Sequence, residues 1–236
     1  MVQRRELDYA NRHATAIEIN GTYYGTQKPA TYATWRDEVP PGFVFSAKAP
    51  RRITQARKLA GTKAPVEDFI GGIVELSDTL GPLVWQFEQG HRLQADDLDA
   101  FFCHCCPSVR ARVRCAMCWR FATAMRWMHR CWRWCAATVW PRYSPIRTSI
   151  PRSRICPPIF VYARLMRSQA RLHAGYPAPA LARWAERIQA WRGGDDPADL
   201  PHVDASAAPA RQPREVFVFF SSVRRRSATL RQRWRC

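Results

Sequence analysis

No aspartate or glutamate occurs between residues 103 and 157, and that gap constrains what this 236-residue chain can fold into more than any other feature. The same stretch holds 11 arginines, no lysine, five tryptophans and eight of the nine cysteines. A second acid-free stretch, 221–236, adds six arginines and the ninth cysteine, Cys236. Charges taken out of water need partners, so arginines without neighbouring carboxylates are poor material for a core. The remaining blocks, 1–102 and 158–220, hold all 19 acidic residues and are each close to neutral, so nearly all of the +18 net charge comes from the two acid-free stretches.

An isoelectric point near 10.4 would ordinarily point to nucleic acid or an anionic membrane. That reading needs a basic surface on a folded domain, and the ordinary blocks do not supply one. No specific nucleic-acid partner is expected. Nor is a membrane, because no run of about 18 apolar residues is present. Met1 is followed by Arg4, Arg5, Glu6 and Asp8 rather than by an apolar run, so a cytoplasmic protein without a signal peptide is expected.

The first ordinary block alternates helix and strand. Arg5 to His13 reads as a short helix and Thr15 to Asn20 as a strand. Pro29 to Asp37 has helical spacing, with Tyr32 and Trp35 three apart and Pro29 suited to a first turn. Phe43 to Lys48 is the next strand, Val66 to Leu80 an amphipathic helix closed by Gly81, Pro82 to Phe87 a strand, and Ala95 to Phe102 the start of another helix. The second block continues with a strand at Ile159 to Leu165, a helix at Pro179 to Arg192 stopped by Gly193-Gly194, a loop over Asp195 to Pro213 and a strand at Glu215 to Phe220. Apolar strands separated by helices predict an α/β protein with a parallel sheet.

Four stretches in this order carry a resemblance: Glu18 to Tyr24, Phe43 to Thr54, Leu80 to Phe87 and Phe160 to Leu165. They resemble successive signatures of the YecE-like family, the bacterial domain of unknown function seventy-two. The resemblance covers 1–102 and 158–220. It implies a TIM-type (β/α)8 barrel, one domain over 1–220, and it implies no particular reaction or cofactor. A family member would begin with a strand of Gly-Thr-Ser-Gly-Trp type upstream of Met1, so strand 1 is expected to be missing. Strands 5 and 6 would fall within 103–157.

The acid-free block makes sense as a frameshift. Met117 to Thr123, shifted by one base with permitted codons, reads H-V-L-E-V-R-H, a strand with a charged end. The same step through Trp140 to Pro157 allows V-A-A-V-F-A-D-S-D-K-Y-P-A-I-A-D-L-P, and Ala228 to Arg235 becomes a helix start. A G+C-rich gene read out of frame yields Arg, Cys, Trp and Pro with few acids. On this reading 103–157 and the tail 221–236 are out of frame, 103–157 is irregular, and the product is unstable, aggregation-prone and without activity, since an opened barrel exposes strand edges.

The alternative class is a Cys/Arg-rich zinc- or nucleic-acid-binding protein. Cys115-x-x-Cys118 has metal-ligand spacing, but Cys131-x-x-x-Cys135 is a loose mate and no metal is assigned. The Arg-Trp run from Trp119 to Trp140 offers phosphate and stacking contacts without a known module.

In barrels, reacting groups sit at the C-terminal ends of strands. On the implied fold those ends carry Glu18, Asn20, Lys48, Gln86 and Arg164. Glu18 and Lys48 are the catalytic candidates: Glu18 as acid or base, Lys48 with Arg164 holding an anionic or carbonyl group. Asn20, Gln86, Arg164 and Tyr23 would bind substrate, with Tyr24 beside Tyr23 at the mouth. A small anionic ligand is the expected partner. The plain structural reading is a buried network in which Glu18 pairs with Lys48 or Arg164. Arg51 and Arg52 read as solvated loop charges, His13 and His91 as surface residues.

Overall fold

The computed structural model describes residues 3–87, 94, 96–98, 100–101, 117–121, 143–146, 160–166, 168–200 and 212–220. They divide between two compact units, Met1–Cys131 and Trp132–Cys236.

The first unit opens with helix α1, Gln3–His13, and strand β1, Ala16–Ile19. A 3-10 turn, Gly21–Tyr23, precedes α2, Pro29–Asp37, whose first residue is the expected proline. Strand β2, Val44–Lys48, runs into the one-turn helix α3, Arg51–Thr54. A 3-10 turn at Leu59–Thr62 leads to α4, Lys63–Ile73, and then to β3, Leu80–Phe87, and β4, Met117–Phe121. The sheet order is β1-β2-β3-β4, and every pair is parallel.

The helix expected to run to Leu80 ends earlier. Beyond Ile73 the chain tightens into 3-10 geometry over Val74–Thr79, and Ser77 takes φ 48°, a left-handed conformation no α-helix continues through. Gly81 does not cap that helix; it lies within β3. A Cβ there would collide with Val44 Cγ1 and sit 3.3 Å from the Phe45 carbonyl oxygen. The same place carries an irregularity in the β2–β3 register, between Phe45 and Ala47. Gly81 therefore permits a close backbone approach.

Because side chains alternate along a strand, this register sorts the sheet into two faces. Phe45, Ala47, Leu83, Trp85 and Phe87 share one face and are buried. Trp85 packs edge-on against Phe69 of α4 at 6.2 Å and against Phe101 at 5.7 Å, which places the helices on that side. Tyr32 of α2 is fully buried, and its hydroxyl accepts the Gln27 N–H at 3.3 Å. The opposite face carries Glu18, Ser46, Lys48, Val84 and Gln86, with Glu18 opposite Ser46 and Lys48 opposite Val84.

The second unit holds β5, Tyr143–Ile146, β6, Phe160–Leu165, α5, Ala178–Arg192, and β7, Glu215–Phe220. The strands are parallel in the order β5-β6-β7. Ala163, Trp191 and Leu200 form the buried centre, with Val161, Val216, Val218, Trp184 and Ile188 packed around it, so one sheet face is joined to α5. The other face carries Phe160, Tyr162 and Arg164 of β6 beside Phe217 and Phe219 of β7. After α5 the chain turns at Gly194, φ 90°, where a Cβ would lie 2.5 Å from the Gln212 backbone nitrogen.

One expectation holds at the level of the architecture and one is corrected in part. The described strands form two parallel sheets, of four and three strands, and close no barrel among themselves; the architecture is mixed α/β, as expected. Within the acid-free block, expected to be irregular, residues 117–121 and 143–146 are regular strands in parallel register with β3 and β6. The one-base shift also puts a strand at each of these places, so the positions of both strands are common to both frames. The rest of 103–157 and all of 221–236 lie outside the described residues.

Candidate functional site

Strand geometry brings the candidates of the first unit to one sheet face and its C-terminal rim. Glu18, third in β1, is 4% exposed, and Lys48, last in β2, is 7% exposed. Ser46, fully buried between them in the face pattern, donates its hydroxyl to the Pro82 carbonyl at 2.7 Å. Gln86 is half-buried near the end of β3 and opposite Arg120 of β4 in register. Glu18 and Lys48 are thus a buried acid and a buried amine on one face of neighbouring strands.

The loop after β1 is tied to the end of β2. Asn20 precedes the 3-10 turn, its carbonyl accepts the Tyr23 N–H at 3.2 Å, and its Oδ1 is buried with no hydrogen-bond partner among the described residues. Thr22, fully buried, donates its hydroxyl to the Lys48 carbonyl at 2.7 Å, with the Ile19 carbonyl at 3.1 Å. Tyr23, 8% exposed, lies under the Lys48 ammonium, whose Nζ is 5.2 Å from the ring centroid. Its hydroxyl accepts Gln55 Nε2 at 3.2 Å. Tyr24 is 68% exposed and meets Tyr23 edge-on at 5.3 Å.

Arg164 belongs to the second unit. It is 5% exposed in β6, on the face turned away from α5, opposite Pro145 and Phe219 in register. Thus Glu18, Asn20, Tyr23, Lys48 and Gln86 share one unit, and Arg164 lies in the other. Arg52, expected to be solvated, is exposed but pairs with Asp68 across α3 and α4. His13 is exposed as expected; its ring stacks on Tyr9 at 4.1 Å. His91 lies outside the described residues.

Sequence reasoning missed Thr22, Ser46 and Gln55. Their roles depend on partners 26, 36 and 32 residues away, which no local pattern signals. Among the described residues no group of three or more His, Cys, Asp or Glu is arranged to hold a metal ion, and no helix is long and apolar enough to cross a membrane. Of the block's cysteines only Cys118, in β4, is described.

Comparison with known proteins extends this picture. Two crystal structures of a DUF72 family protein from Enterococcus faecalis V583, at 2.52 and 3.10 Å resolution, are similar in fold at 16% sequence identity each. The first aligns over 93% of this chain and 86% of its own with a TM-score of 0.56; the second over 92% and 81% with 0.58. A search of curated proteins gives no significant match. The family model described as "Protein of unknown function DUF72" matches residues 1–234, across the acid-free block as well as the four stretches that carry the resemblance. With these residues matched from end to end, the chain belongs to the DUF72, or YecE-like, family.

Proposed function

We propose that the polar face of the first sheet is the floor of a binding site for a small anionic molecule, on an incomplete (β/α)8 barrel formed as one domain by residues 1–220. The observation that carries this reading is the placement of Glu18 and Lys48, both buried, on one face of adjacent parallel strands, near their C-terminal ends. Ligand sites of parallel α/β proteins lie at those ends. Lys48 and Gln86 fix the ligand's anionic or carbonyl group, the buried Oδ1 of Asn20 accepts a ligand donor, and Glu18 serves as acid or base. We take 103–157 and 221–236 to be read out of frame; their arginine content is then no argument for a nucleic-acid partner.

Two measurements test this. Sequencing the gene and its transcript should show compensating one-base changes near codons 102 and 158; their absence from both ends the frameshift reading. A thermal-shift screen of small carboxylates and phosphates against the frame-corrected chain should find a ligand whose affinity falls about tenfold or more in Lys48→Met, the loss of a charge-assisted hydrogen bond. Unchanged binding in both Lys48→Met and Glu18→Gln would remove the site.

A further inference from the structure

The aromatic residues after β1 and the cations at and beyond the end of β2 form a series from interior to surface. Lys48, 7% exposed, stands 5.2 Å from the Tyr23 ring. Tyr23, 8% exposed, meets Tyr24 edge to face, at 5.3 Å and 85°. The Tyr24 ring is 68% exposed and has the Arg51 guanidinium 5.7 Å from its centroid. The order is therefore cation, ring, ring, cation. Its inner half is fixed: Gln55 donates to the Tyr23 hydroxyl at 3.2 Å, and Thr22 holds the carbonyl of Lys48 at 2.7 Å.

The two arginines of α3 differ in a way that isolates the outer half. Arg52 pairs with Asp68, whereas Arg51 makes no ion pair among the described residues and leans over a tyrosine. At 68% exposure Tyr24 leaves most of its ring open to a ligand. A guanidinium on one ring also has its positive edge free for an anion, and a second planar ring stacks well on a tyrosine face already polarised by a cation.

We propose that Tyr24 and Arg51 form a recognition subsite for a planar aromatic ring bearing a carboxylate or phosphate, placed outside the Lys48–Tyr23 pair. This deepens the reading above and rests on it: the ligand class becomes an aromatic anion rather than any small anion. The ring lies on Tyr24 and the anionic group meets Arg51, while Lys48, behind Tyr23, adds a longer-range attraction. No bond is made or broken in this step.

The test is titration calorimetry on the full chain with benzoate and cyclohexanecarboxylate, two acids of like charge and size that differ in aromaticity. Benzoate should bind about threefold to tenfold tighter. Tyr24→Leu, a change at an exposed position that leaves the core intact, should abolish that ratio. Arg51→Gln should weaken both acids, and Arg52→Gln neither. Equal affinities, a ratio that survives Tyr24→Leu, or equal losses from Arg51→Gln and Arg52→Gln would each overturn the proposal, as would no saturable binding of either acid. Lys48→Met separates the two readings. If both acids weaken in that variant but bind wild type equally, the anion site stands and the aromatic subsite falls. If the Tyr24-dependent ratio appears without dependence on Lys48, the subsite stands and the deeper site falls.

Discussion

The two sheets follow one construction on their helix-facing sides and diverge on the other. In the first unit Phe45, Ala47, Leu83 and Trp85 share the buried face on which Trp85 meets Phe69 of α4, and in the second Val161, Ala163, Val216 and Val218 face α5. The opposite face of the first sheet holds Glu18, Ser46, Lys48 and Gln86, whereas that of the second holds Phe160, Tyr162, Phe217 and Phe219 with the buried Arg164 and, at the exposed start of β7, Glu215. There Tyr162 stacks on Phe219 at 4.9 Å and Phe160 meets Phe217 edge-on at 5.7 Å. The apolar sides show where folding energy comes from, since burial is non-directional and any helix-sheet pair can supply it. The other sides differ in what they ask of folding: polar groups are costly to bury, and the first sheet accepts that cost at Glu18, Ser46 and Lys48, with Gln86 half-buried.

The largest expected effects test the shared half of that comparison. Trp85→Ala in the first unit and Trp191→Ala in the second each empty a buried indole site, and each should cost about 3–5 kcal/mol in denaturant titrations. A cost under about 1 kcal/mol at either position would show that its helix-facing layer does not hold that unit together.

Next come the close approaches. Gly194→Ala combines a positive φ with an immovable backbone neighbour at Gln212, and should cost about 1–3 kcal/mol by the same titration. Gly81→Ala should cost about as much, but there the obstacle is the Val44 side chain. Val44→Ala in the same chain should therefore recover part of the loss. No recovery would place the conflict at the Phe45 carbonyl instead.

A smaller effect concerns the polar half. Thr22→Val keeps the shape and removes the hydroxyl that bonds the Lys48 carbonyl, at about 1 kcal/mol. Ligand affinity should fall with stability, and an unaltered melting temperature would show that water replaces the bond.

The smallest effect lies on the surface of the first unit. Asp37 is held below its ordinary value by its hydrogen bond to Arg36, at 2.8 Å. A depressed folded-state value stabilises the fold above the ordinary carboxylate range, and that contribution is lost as pH falls through the depressed value. Both groups are solvated, so the difference in acid-side stability between wild type and Asp37→Asn should be slight. A large one would mean that Asp37 has a further partner.

Much of the fold was legible because the sequence states local periodicity plainly. Glu215–Phe220 and Pro29–Asp37 form the strand and helix expected at those bounds, and Phe43 to Lys48 contains β2 within one residue. The single turn at Arg51–Thr54 and the turn at Gly21–Tyr23 were not legible, since a few residues carry no period. Gly81 was misread for a related reason: a glycine after an apolar helix suggests a cap, and only the approach of Val44 from another strand reveals its packing role. The strand-end candidates came from the family resemblance. What sequence could not give was Arg51, whose interest depends on Arg52 having a partner 16 residues away and Arg51 having Tyr24 instead.

The Thr22 hydroxyl has a consequence in time. It carries one proton, directed to the Lys48 carbonyl with that of Ile19 close by, so the loop after β1 cannot lift without releasing the end of β2. Fraying of the strand and opening of the loop then become a single event with one rate. The amide protons of Tyr23 and Ala49, bonded to the Asn20 and Val84 carbonyls, should exchange with solvent together in wild type and at separate rates in Thr22→Val. A ligand held between the two segments would leave no faster than that shared motion permits.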